Sequence, residues 1–488
     1  MQYSKKSLLS ASRFSLAALI LCLPFILSAS HTPTALERVL ESGELRIISR
    51  NGPTTYYEGR LGLDGYDYTL AKAFADHLDV ELAITEEENF GDIFQAVGSK
   101  SGQMAAAGLT VSEQRKEAVL FTRPYMQVTQ EVLYRAGTKR PLNTEDLLGK
   151  SILVISNSSH VERLQQLQLQ MPLLRWHEQS DIEMSDLMEM VHTGTIDYAI
   201  VDSNAYDMNR SLYPRARRAF TISESPQGIA WAFPQGSDRS LYDLADSFIA
   251  NAEATGMLKE MQERFYGHVD GMDAGSAFTF ARRIQQRLPR WQEYLEIAGT
   301  MFDLDWQLLA AMSYQESHWN SLARSYTGVR GLMMLTRATA KEVGVQDRLD
   351  PIQSIYGGAK YFRKIFDRIP EDIQGADRTW LSLAAYNIGF GHMEDARILT
   401  ERMGGDPNKW TDVRTHLPLL TKRKYYRTTK HGYARGWEAV KYVQNIRSFY
   451  NTIALHEQVQ MRRLASVSKD GLTPVKFERE ITESTSLL

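Results

Sequence analysis

The sequence has almost nothing with which to cross-link itself. One cysteine, Cys22, occurs among 488 residues, and it lies in a segment with the character of a secretory signal. Lys5, Lys6 and Arg13 make a basic start, Phe14 to Leu27 is almost wholly apolar, and Ser28-Ala29-Ser30 offers the small residues at which signal peptidase cuts. Cleavage there leaves no cysteine, which excludes a disulfide framework and suits an oxidising compartment. Leu21 stands before Cys22, where a lipoprotein signal wants a small residue, so lipidation is not expected. Long hydrophobic runs are also missing, since the apolar run falls short of the about 20 residues of a membrane-crossing helix. An excess of positive charge is missing as well. The formal charge is −3 and becomes −6 once the three signal cations are gone, which speaks against a nucleic-acid partner. There is no internal repeat and no long low-complexity run. His318 and His392 stand apart from other ligand-type residues, so neither a metal nor a cofactor is expected.

What remains is an ordinary globular composition, 43% hydrophobic and 24% charged. Its length predicts two to four domains at roughly 100–200 residues each. Up to about residue 266, β-rich runs such as Leu45–Ile48 and Ser151–Ile155 alternate with amphipathic stretches at Tyr68–Leu78 and Leu241–Ala252. That alternation predicts an α/β unit with largely parallel sheets. Residues 267–275 are polar and glycine-rich and read as a linker. Beyond them the spacing is helical, clearest at Asp305–Ser317, Ile352–Ile369, Thr379–Asn387 and Glu438–Thr452. The division expected is a signal over 1–30, an α/β unit over 31–266, the linker, a mainly α unit over 276–456, and a disordered tail over 457–488.

Three motifs in the first half occur in order: Gly65-Tyr66-Asp67-Tyr68-Thr69-Leu70-Ala71, Gly108-Leu109-Thr110-Val111-Ser112-Glu113-Gln114-Arg115, and Ile196 to Asp202. With them, residues 40–266 resemble the bilobed periplasmic amino-acid-binding proteins. The resemblance implies a cleft in which Arg115 takes a carboxylate and Asp202 an ammonium, with Thr110 and Ser159 beside them. An Arg fork suits a carboxylate, and backbone N–H groups at Ser158-Ser159, before a helix, suit an anion. The plainer alternatives are that Arg115 is a solvated charge and that Asp202 caps a helix beginning near Asn204.

Four motifs follow in the second half: Gln315-Glu316-Ser317-His318-Trp319-Asn320, Gly331-Leu332-Met333-Met334-Leu335, Ala384-Ala385-Tyr386-Asn387-Ile388-Gly389 and Tyr442-Val443-Gln444-Asn445-Ile446. In this order they resemble the lytic transglycosylases with a lysozyme-like fold. Together with the first half, the resemblance spans about residues 35–455 and points to a membrane-associated branch of that family. Glu316 ends an apolar helix. A carboxyl at the edge of a core is desolvated, which raises its pKa and lets it act as a general acid. Ordinary glycosidases use two carboxylates. Asp303, Asp305 and Asp350 read as helix caps, and Glu342 and Glu394 as surface residues, so no convincing second one is found. In the resembling family one suffices, because the muramic acid C6 hydroxyl attacks C1 and closes a 1,6-anhydro ring.

The same resemblance implies that Ser317, Met333, Tyr386, Asn387 and Tyr442 bind the saccharide. Many of its members carry Gln where Met334 stands. It further implies peptidoglycan as substrate, an amino acid or muropeptide on the first half, and an exported enzyme peripheral to the inner face of the outer membrane. A hydrolytic muramidase and a ligand-sensing protein with a wall-anchoring half are the competing readings. The densest basic patch, Lys422 to Arg435, fits anionic peptidoglycan stems, anionic lipid, or plain solvent.

Overall fold

The computed structural model describes residues 32–470 apart from 53, 60–61, 88, 99–100, 270–271 and 325–328. The expected signal and the last eighteen positions of the expected tail lie outside them.

The first half has two lobes, each built on a five-stranded sheet. In the first lobe the strand order is Glu81–Glu86, Glu44–Ser49, Met104–Ala105, Ala232–Pro234, Val119–Phe121. In the second it is His177–Gln179, Ile152–Ile155, Tyr198–Asp202, Gln130–Arg135, Ala216–Thr221. Four strands of each sheet run in one direction and one runs against them, Ala232–Pro234 in the first and Gln130–Arg135 in the second, so the sheets are largely parallel with a single reversed strand. The cause is topological. The chain crosses between lobes twice, and the crossings Met126–Val128 and Gln227–Ile229 pair antiparallel. Strands entering a sheet from the other lobe arrive in the opposite sense. Ile152–Ile155 is buried throughout because both faces of its sheet are covered, which explains its unbroken apolar run.

The second half is helical around one apolar core running from Met272 to Ile453. Its centre is the helix Trp306–Ser317, in which every residue from Leu308 to Tyr314 is buried. Asp305 caps it, accepting from the Gln307 N–H at 2.8 Å. Asp350 likewise caps Pro351–Arg368. Asp303 does not cap a helix start; it closes the preceding helix, Gln292–Phe302, in the left-handed conformation at φ 50°.

Two boundaries differ from expectation. The last helix runs from Gly436 to Asp470, so residues 457–470 are helical and not a disordered tail. Val459 is buried there, and Glu457 accepts from the Gln307 and Gln292 amides, which ties this extra length down. The stretch 267–275 is not a free linker in its described part. His268 is buried, its ring is 2.7 Å from the Asn451 amide and its carbonyl accepts from Ser448. Burial and nearby arginines hold that imidazole well below its usual range, at about 3, so it is neutral. Next to it, Arg447 on the last helix donates to Glu263 at 2.8 Å. The two halves are therefore docked through buried polar contacts.

Candidate active site

Glu316 is the penultimate residue of the Trp306–Ser317 helix. Immediately after it, His318 and Trp319 both take left-handed backbone, at φ 53° and 55°. This double reversal stops the helix and leaves the Glu316 side chain facing the last helix. Trp319 then tucks back into the core, its indole N–H on the Ala310 carbonyl at 2.9 Å. The end of a helix buried from Leu308 to Tyr314 thus delivers a carboxyl to the edge of the core.

Tyr442, on the last helix, donates its phenol to Glu316 Oε1 at 2.7 Å. Two effects act on the Glu316 carboxyl. Burial raises its pKa, and the Tyr442 bond opposes that; the balance is a group pushed up from 4.5 to about 7. Neither effect comes from a second carboxylate. Tyr386 lies nearly parallel to Tyr442, with ring centroids 6.5 Å apart, and donates to the Met333 carbonyl at 3.3 Å. Burial and the Glu316 charge hold both phenols well above their usual range, so both remain donors.

Glu316, Tyr442, Tyr386 and Met333 are therefore brought together from four separate segments. Met333 contributes its backbone, since its side chain packs onto Gly358, where an added Cβ would come within 2.8 Å. Its N–H donates to the buried Ser354 hydroxyl. Gly331 sits at φ 100° with the Arg348 carbonyl 2.2 Å from where a Cβ would be, so this wall requires glycine. Met334 also takes left-handed backbone, at φ 47°. Asn387 follows Tyr386 and is exposed, two residues before Gly389 ends the helix at φ 90°. Ser317 is not turned toward Glu316: it is buried, and its hydroxyl donates to the Ser313 carbonyl at 3.1 Å. Two supports were not singled out from the sequence, although the first joins residues of two of the motifs. Asn445 donates to Gln315 beside the carboxyl, and Tyr361 packs edge-on against Tyr386.

In the first half, the cleft between the lobes is lined by Arg50, Thr110, Ser159, His160, Glu183 and Asp202 among others. Three of the four expected ligand residues are there. Arg115 is not. Its guanidinium is buried between Phe90 and Phe94, 5.1 Å from each centroid, and donates to Glu162, to the Thr110 carbonyl and to the Asn157 carbonyl. Every arm of the fork is in use, so Arg115 ties the two lobes together instead of presenting itself to a ligand. Asp202 occupies a helix N-cap position, but its carboxylate pairs with His160 at 3.1 Å instead of capping. The cation on the cleft wall is Arg50, 2.5 Å from Glu183 of the opposite lobe. Burial raises the Glu183 carboxyl to about 7 despite Arg50.

Comparison with known proteins adds the following. Residues 293–406 match the family model "Transglycosylase SLT domain", and residues 45–268 match "Bacterial extracellular solute-binding proteins, family 3". The chain is 57% identical over 460 residues to a protein of Saccharophagus degradans named membrane-bound lytic murein transglycosylase F, covering 94% of this chain and 92% of the relative. A protein of the same name from Cellvibrio japonicus is 50% identical, covering 94% and 93%. Among solved structures, a mutant of ArgBP from T. maritima aligns with 48% of this chain and 99% of its own, at 21% identity and a TM-score of 0.43.

Proposed function

This chain belongs to the family of membrane-bound lytic murein transglycosylases F, and from that premise we propose a mechanism in which Glu316 alone performs the acid–base work on peptidoglycan. Glu316, protonated near neutrality, gives its proton to the glycosidic oxygen between MurNAc and GlcNAc as the C1–O bond breaks. Its carboxylate then takes the proton of the muramic acid C6 hydroxyl as that oxygen bonds to C1. The proton count closes, no water is consumed, and the new end is a 1,6-anhydro ring. Because the nucleophile is part of the sugar, positioning supplies much of the rate. Tyr442 holds the carboxyl in place, Tyr386 fixes the Met333 wall, and Asn387 faces the incoming saccharide. The observation that carries this reading is a desolvated carboxyl bonded to a phenol and shifted by no second carboxylate.

Mass spectrometry of fragments from purified sacculi tests it. Anhydro ends, lighter by one water than hydrolysed ends, are the expected product. Hydrolysed ends would favour the muramidase reading. Glu316→Gln should cut release of either by about 10²–10⁴-fold.

We propose further that the lytic unit is residues 276–456 continued by its helix to 470. The cleft of the first half, residues 31–266, takes a zwitterion such as an amino acid or a muropeptide end. Support for the latter is cationic Arg50 on one wall, paired with Glu183, and acidic Glu183 and Asp202 on the facing wall. Arg50, not Arg115, is then the carboxylate partner. Calorimetry with amino acids and muropeptides should show binding that Arg50→Ala removes. The protein is proposed to be exported and to touch the inner face of the outer membrane peripherally. The pattern of residues 1–30 and the relatives' name support this, and no helix among the described residues is long and apolar enough to cross a membrane.

A further inference from the structure

The segment Lys422–Arg435 takes no part in the chemistry above, and its charge is unlike that of the chain around it. No acidic residue stands between Asp412 and Glu438 in a protein whose formal charge is −3. Lys422, Arg423, Lys424, Arg427, Lys430 and Arg435 are all exposed. Of these six, Arg435 alone has a carboxylate partner among the described residues, Glu438 at 2.9 Å. The other five have no carboxylate partner among the described residues.

The segment is held in shape. The N–H groups of Lys430 and His431 both donate to the carboxylate of buried Asp395, at 3.1 and 2.7 Å. The His431 ring lies against Gly391, where a Cβ would come within 2.7 Å. The Thr428 carbonyl accepts from Arg402, and the Ala434 N–H donates to the Leu420 carbonyl. A fixed loop thus carries the cations. Two large aromatics stand among them, Tyr433 at 56% and Trp437 at 51% exposure. Tyr433 is kept upright by an edge contact with Tyr426, centroids 5.8 Å apart.

The location is specific. Gly391 follows the Gly389 exit of the helix bearing Tyr386 and Asn387. Trp437 lies five residues before Tyr442 on one helix, about 8 Å along its axis and roughly 140° around it, so the contact that sets the patch beside this helix exit is the His431 ring on Gly391. The patch therefore borders the cleft that holds Glu316. We propose that this surface is a second wall-binding site, which grips the stem-peptide carboxylates of the strand being cut while Tyr433 and Trp437 lie on sugar faces. Arg and Lys donors form charge-assisted bonds to carboxylates, and an unneutralised cluster steers a polyanion toward the neighbouring cleft. A bilayer seated here would cover the approach to Glu316, which is why the occupant is the glycan strand. The inference rests on the lyase reading.

The test is co-sedimentation of full-length Glu316→Gln protein with purified sacculi, native or with stem carboxylates converted to amides. Amidation should weaken binding about tenfold. The combined change Lys422→Gln, Arg423→Gln, Lys424→Gln and Arg427→Gln should weaken binding to native sacculi as much and remove the effect of amidation. All four positions are exposed, and an unchanged circular dichroism melt would verify the fold. Equal binding by parent and variant, or indifference to amidation, would overturn the proposal. So would a variant that keeps its grip on sacculi and loses only phosphatidylglycerol vesicles, since that outcome assigns the patch to lipid. The protein with Glu316 intact, assayed separately for anhydro ends, distinguishes failure of the lyase reading from failure of this one.

Discussion

At the scale of single residues, the chemistry turns on one proton. Glu316→Gln keeps shape and hydrogen bonding but has no proton to give. Turnover of sacculi should fall by about 10²–10⁴-fold, and residual activity within tenfold of the parent would sink the assignment. The same substitution has a stability signature. The folded pKa of about 7 lies above the ordinary 4.5. Below 4.5 both states are protonated, and the group does not affect stability. Between 4.5 and 7 the unfolded state releases its proton while the folded state keeps it, so the parent loses stability across that window and the loss is complete above 7. Glu316→Gln should therefore melt higher than the parent at pH 8, with the gap closing by pH 4. Equal melts across that range would mean that the carboxyl is not desolvated. Tyr442→Phe tests the opposing effect. The phenol bond lowers the Glu316 pKa, so its loss should move the alkaline fall of kcat/KM to higher pH.

At the scale of elements, the Glu316 helix is positioned from its far end. Asp305 caps that helix and also accepts the Tyr450 phenol at 2.8 Å, tying helix start to last helix. Asp305→Ala should cost about 1–2 kcal/mol in a denaturant melt, the range for a lost N-cap. The glycine wall is a second lever. In Gly331→Ala the new Cβ meets the Arg348 carbonyl, and the left-handed φ adds strain. The wall must shift, and kcat/KM on sacculi should fall further than the melting temperature alone explains. A variant with normal kinetics would show that the wall does not touch the glycan.

For the whole molecule, the question is how far the halves are one body. The apolar core of the second half contains no residue from before Met272. A fragment covering 272–470 should therefore fold and release anhydro ends, as read by circular dichroism and product analysis. Its cost is at the joint. Arg447, 2% exposed, would lose both Glu263 and the carbonyls of Glu263 and Arg264. Breaking a buried ion pair from one side costs about 3–5 kcal/mol. The fragment should accordingly melt below the full chain.

The sequence by itself determined the periodicities, and through them the elements. Ile152–Ile155 had to be a covered strand, and the run before Glu316 had to be a buried helix. It also determined the order of the motifs, which named the candidate carboxyl and its neighbours. These are local properties, written in spacing and residue type. Only the tertiary structure decided which polar group meets which. Arg115 reads as a ligand fork until Glu162, Phe90 and Phe94 surround it, and Arg50 carries no motif yet lines the cleft. Ser317 adjoins the carboxyl in sequence but bonds backward to Ser313, whereas Tyr442, 126 positions away, holds Glu316. A side chain's partner depends on how helices and lobes are laid against each other, and hydrogen bonds across such contacts leave no period in the sequence.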